Sequence, residues 1–228
     1  MKILSIRRGF QADHSSTSYE FFAVEKALDR SQREAVSDLS SRANPTRRRV
    51  SFIYHGEWSD LPGGWVPLVE SYYDVMYSES YGWWTLAIAF DTDRKGIEEI
   101  KAYEFTGSDD MGITVQSKGN RVILSIHCHL NPGFSYNDGY SDYDYYDSDE
   151  DEETEETLES GDYLLDLLAK NREYLKDGDY RLLYGVWQKY GFEPAEDDEE
   201  FDEDTPPEPP EMDELPQPVR SVLSILEE

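Results

Sequence analysis

Four groups of residues in this 228-residue chain have the side-chain types that chemistry requires. The first is Ala12-Asp13-His14-Ser15-Ser16-Thr17, which places a carboxylate, an imidazole and three hydroxyls within six residues. A nucleophile, its base and an orienting carboxylate need those types, which makes Asp13, His14 and Ser15 catalytic candidates. They must also converge in space, and neighbours on one loop rarely do. A hydrogen-bonded turn ahead of the next strand is the favoured reading.

The second group is His127-Cys128-His129. Side chains alternate across a strand, so both imidazoles project to one face. With His55 from another strand, His127 and His129 would make a three-ligand metal site. Joined by Asp13 and His14, that set defines one functional alternative, a metal-dependent hydrolase. No CxxC or HExxH spacing accompanies it, and the sequence implies no cofactor.

The third group is basic: Arg42, Arg47, Arg48 and Arg49. Guanidinium clusters hold phosphate through bidentate, charge-assisted hydrogen bonds, and Phe52 and Tyr54 nearby offer rings for stacking bases. A second alternative follows, a nucleic-acid binder held inactive by the acidic part of the chain. Free nucleic acid is a poor partner for the intact chain, whose net charge is −29.

The fourth group is the acid itself. Residues 1–135 carry 15 Lys/Arg against 18 Asp/Glu, a net of −3, whereas residues 136–228 carry 6 against 32, a net of −26. Asp138–Glu159 holds 12 acids and no base, and Glu193–Glu214 holds 13 acids and no base. Carboxylates spaced as in Asp142–Asp151 resemble calcium loops, but the EF-hand glycine at position six is replaced by Asp147. Blocked acid of this kind reads as a solubilising linker or, more sharply, as a ligand for a basic protein surface or a mimic of the nucleic-acid backbone. Tyr143, Tyr145 and Tyr146, interleaved with it, add contact area at low entropic cost.

The elements that would position these groups divide the chain into an α+β domain at 1–135, an acidic linker at 136–160, a helical hairpin at 161–192 docked on the first domain, an acidic, Pro-rich linker at 193–218 and a short apolar motif at 219–228. Tyr19–Val24, Arg49–His55 and Trp83–Phe90 have the β-branched and aromatic character of strands. Ile113–Gln116 and Val122–Leu130 flank a Lys118-Gly119-Asn120 turn as a hairpin. Helical spacing marks Leu28–Leu39, with Ser31 and Glu34 as its capping box, and also Trp65–Tyr77. The expected fold is a mixed sheet with helices on one face. Trp58, Trp65, Trp83 and Trp84 lie at spacings that suit core packing. The acidic linkers are too charged and too poor in aliphatic residues to offset their ordering entropy, and read as disordered.

In the C-terminal part, Tyr163, Leu164, Leu167 and Leu168 form one apolar helix face. Leu182, Leu183, Val186 and Trp187 form another, and Asp177-Gly178-Asp179 separates them. In the terminal VRSVLSIL stretch, Val219, Val222, Leu223 and Leu226 give an apolar motif suited to a partner's groove. A single cysteine and the absence of an apolar leader fit a cytoplasmic protein, and no window approaches the length of a membrane span.

Several segments together resemble a family of bacterial proteins with no assigned activity. They are Tyr19-Glu20-Phe21, Leu39-Ser40-Ser41-Arg42-Ala43 followed by Pro45-Thr46, Tyr72-Tyr73-Asp74, and Gly178-Asp179-Tyr180-Arg181 followed by Leu183-Tyr184 and Trp187. The resemblance covers roughly 100 residues in both halves of the chain. It carries no catalytic residues, and it implies a shared assembly with zinc-finger proteins of the SWIM type, near which family members are encoded. The expected function is a non-enzymatic adaptor whose acidic arm engages a basic protein surface.

Overall fold

The computed structural model describes residues 16–41, 43–55, 61–131, 160–191 and 205–227. Its strands are β1 (Ser16–Phe22), β2 (Arg49–His55), β3 (Val75–Ser80), β4 (Trp83–Asp91), β5 (Phe105–Thr106), β6 (Gly112–Lys118) and β7 (Arg121–Cys128). The α-helices are α1 (Arg30–Ser37), α2 (Val66–Ser71), α3 (Arg94–Lys101), α4 (Tyr163–Lys176), α5 (Arg181–Tyr190) and α6 (Gln217–Ile225).

The class is α+β. One seven-stranded sheet runs β2-β1-β3-β4-β7-β6-β5, and each pairing in it is antiparallel. The expected mixed sheet is not formed because β1 lies between β2 and β3. Those two strands run in the same direction, but neither is the other's neighbour.

The helices cover both faces of the sheet. Strand alternation sends Leu86, Ile88 and Phe90 of β4 to one side, where they join a core with α3, α4, α5 and α6. Ala87 and Ala89 point to the other side, into a core with Phe21, Phe52, Val36 of α1, and Leu68 and Val69 of α2. A single apolar stripe per helix requires this division, since one sheet face is too small for every helix.

Two local expectations shift. The capping box of α1 is built by Asp29 and Gln32: the Asp29 carboxylate accepts from Gln32 N, and the Gln32 side chain accepts from Asp29 N. The expected helix over Trp65–Tyr77 stops at Ser71, and Val75-Met76-Tyr77 turn into β3. Val75 and Tyr77 enter the first core and Met76 the second, an alternation that a helix cannot provide.

The C-terminal part is not a separate unit. Buried leucines of α4 and α5 share one continuous apolar cluster with the sheet, and α6 packs against both helices. Gly185 permits the α5–α6 approach, because a Cβ there would lie 2.5 Å from a Leu223 methyl. Val219, Val222, Ile225 and Leu226 are all buried, and Leu226 forms a β-bridge with Leu130. The terminal apolar motif thus completes this chain's own core, so Val219, Val222 and Leu226 are not free for a partner's groove, and Leu223 is packed against the same core.

Candidate functional site

Two members of the basic group, Arg48 and Arg49, are used internally. Arg48 Nη1 donates to the carbonyls of Ala23 and Val24, each at 3.0 Å. Arg49 donates to Ser160 O at 2.6 Å and pairs with Glu20 at 3.1 Å. Arg47 is exposed in the bend ahead of β2 but also has a partner, and Arg42 lies outside the described residues. Arg48 and Arg49 hold strands and loops together, which corrects their assignment as phosphate ligands.

The Arg49 contacts form a buried polar cluster that sequence reading had missed. Glu20 sits on β1 between Ser51 of β2 and Tyr77 of β3, its direct neighbours in the register. Ser51 Oγ donates to Glu20 at 2.6 Å. Asp162, the N-cap of α4, accepts from Leu164 N, Leu165 N and the Tyr77 hydroxyl, and lies 3.9 Å from Arg49. One guanidinium therefore faces two carboxyl groups. Burial pushes the Glu20 carboxyl up to about 7, outweighing the opposing effects of Arg49 and Ser51. The cluster fixes Ser160, the residue at which the chain returns to the body after the first acidic segment.

The imidazoles are placed differently from a metal site. His127 and His129 do share one face, as strand alternation requires. His127 Nδ1 lies 3.3 Å from Thr85 Oγ1 and its Nε2 lies 3.3 Å from Thr114 Oγ1. Burial lowers its pKa, so the ring is neutral at neutral pH. His129 Nδ1 donates to the Gly82 carbonyl at 2.9 Å, and its ring centroid is 4.0 Å from that of Trp83. His55 is on β2, four strand positions from β7, a separation of about 19 Å. The three histidines cannot share one ion, and among the described residues no group of three potential ligands gathers around a common point. Asp13, His14 and Ser15 lie outside the described residues, as do Tyr143, Tyr145 and Tyr146. Cys128 is buried, and burial pushes its thiol up to about 12, so it is not a nucleophile at neutral pH.

Among the described residues, no helix covers the second face of the sheet at the end away from α2. Thr85, Thr114 and His127 are half-buried there, and Trp83 and Tyr81 are exposed at the β3–β4 turn. Trp83 is on the surface and not in the core that its apolar neighbours suggested. A cue for this patch was present in the sequence: Tyr81-Gly82 separates two strand-like runs, as a two-residue hairpin turn does. A shallow depression lies beside Arg94, Lys95, Glu98 and Glu99, on the outer side of α3. No helix among the described residues is long and apolar enough to cross a membrane.

Comparison with protein-family models, with curated proteins and with solved structures finds no match to this chain.

Proposed function

We propose that the protein is a non-enzymatic binding protein whose two acidic segments engage a basic protein surface. The observation that carries this reading is how the chain returns to its body. Asn131 is fixed by Ile225, Ser224 and Leu226. Ser160 is held by Arg49 and Asp166. Between them, residues 132–159 carry 12 acids and no base. Gly191 ends α5, and Pro207 accepts from Tyr103, so the second acidic segment is also tied at both ends. Residues 192–204 carry 9 acids and no base. The acid is thus presented from fixed points as two closed spans.

Such an arrangement concentrates negative potential on one body, which speeds association with a cationic partner and makes it sensitive to salt. The resemblance to the bacterial family supports a SWIM-type zinc-finger protein as one such partner. The internal use of Arg48 and Arg49 counts against nucleic acid, and the separation of His55 from His127 and His129 counts against the metal-dependent hydrolase.

The test compares the intact chain with a full-length variant in which the 12 acids of 138–159 are changed to Asn and Gln. A nona-lysine peptide is titrated into each at low and high salt. Binding that is lost at high salt and in the variant supports the proposal. Equal binding by both chains, or none by the intact chain, overturns it.

A further inference from the structure

Resting on that reading, we infer that the β3–β4 turn is a second contact, a preorganised aromatic platform of Tyr81 and Trp83 that receives an arginine side chain of the basic partner. Among the described residues these are the large hydrophobic side chains left exposed, at 51% and 41%. Tyr81 lies in, and Trp83 directly follows, a two-residue hairpin turn closed by the Ser80–Trp83 pair, with Gly82 at φ +85°.

Tyr81 occupies the other central position at φ +55°, in the left-handed region. Asn, Asp or Gly suits that position, and a bulky ring there costs conformational energy. A strained residue whose side chain points into solvent contributes nothing evident to the core, which directs attention to recognition. The turn beneath it is tightly held. Gly82 N donates to the buried Glu79 carboxylate at 2.8 Å, and the Gly82 carbonyl accepts from His129 at 2.9 Å. The His129 ring backs the indole of Trp83 at 4.0 Å. The platform is therefore ordered before a partner arrives, and little further entropy is lost on contact.

Charge selects the occupant. The indole is the strongest side-chain acceptor of a cation over its face, and a planar guanidinium also stacks on it. The acidic span leaves the body at Asn131, two residues after His129. Its first carboxylate, Asp138, is within about 25 Å of Asn131 at full extension. A basic segment drawn in by those carboxylates thus has the platform within reach. A second copy of this chain would instead bring a further net charge of −29 to the same surface.

The experiment titrates a nona-arginine peptide into the full-length protein and into Tyr81→Asn and Trp83→Ala variants, by calorimetry at several salt concentrations. Each substitution is expected to weaken binding by about two- to fivefold without changing the dependence on salt. Thermal unfolding serves as the control, and Tyr81→Asn is expected to unfold no earlier than the native protein. Native-like affinity in both variants overturns the platform while leaving the acidic-segment proposal intact. Failure of the native protein to bind the peptide overturns both. A Trp83-dependent change in emission with protein concentration alone would place a second copy on this face and overturn the inference.

Discussion

The two faces of the sheet are built to different specifications. The face under α4, α5 and α6 is closed by buried leucines and by the returning C-terminal helix, and even charged residues of α4 are enclosed there. Arg172 of α4 is wholly buried, with Nε donating to Ala89 O at 2.8 Å and ion pairs of 2.7 Å to Glu25 and to Glu173. The opposite face is closed only where α1 and α2 reach, and beyond them it ends in hydroxyls, imidazoles and two exposed rings. The difference teaches that the same strands serve a face that is core along its described length and a face that is core only in part.

Substitutions on the closed face test that difference most severely. Changing Val222 to Asp buries a charge among apolar side chains at a site with no exposure. Removing residues 217–228 exposes the apolar surface under α6, where each fully buried aliphatic side chain contributes about 1.5–3 kcal/mol. Several such losses approach the whole stability of a domain of this size. Either change is expected to abolish the cooperative unfolding transition seen by circular dichroism, whereas a dispensable docking motif would leave it in place. Replacing Arg172 by Ala removes a wholly buried side chain and the donor to the Ala89 carbonyl, and is expected to cost about 2–3 kcal/mol in urea denaturation.

A smaller effect is expected from Glu20. Its pKa in the folded state, about 7, lies above the usual value of 4.5, so the folded protein binds the proton more tightly than the unfolded chain. The corresponding stability is fully present below pH 4.5 and is lost as the pH rises through 7. The expected loss is about 3 kcal/mol. Glu20→Gln should remove that slope between pH 5 and 8, and a slope unchanged in the variant would assign it to another group. The smallest effects belong to the open face: Trp83→Ala is expected to shift stability by less than about 0.5 kcal/mol, because the side chain is exposed. A loss like that of a core residue would erase the contrast between the faces.

Much of this frame was legible in the residues. Arg49–His55 becomes β2 with unchanged bounds, Lys118–Arg121 closes the β6–β7 hairpin, and α4 and α5 follow their leucine spacing on either side of the 177–179 break. The misreadings share a physical origin. Val75, Met76 and Tyr77 are apolar on consecutive positions because β3 is buried on both faces, and such a run matches a helix as well as a strand. Nothing in VRSVLSIL tells whether its groove belongs to another protein or to α4 and α5, since local periodicity specifies a buried face and not its partner. His55, His127 and His129 have suitable chemistry, but strand order alone decides whether they meet. The helix α3 had passed unread despite its local cues, Asp93 as a cap that accepts from Gly96 N and Ile97 and Ile100 three residues apart on the buried side.

Because α4, α5 and α6 are bound to the sheet by a shared apolar core, the covalent bridges at 132–159 and 192–204 are not what holds the particle together. A protease that cuts within either span would release no piece of the body. The severed polypeptides would migrate as one species on a sizing column and separate only in denaturant. The same sites would accept new chain termini or an inserted domain, which makes this fold a natural candidate for reconstitution from two separately produced halves.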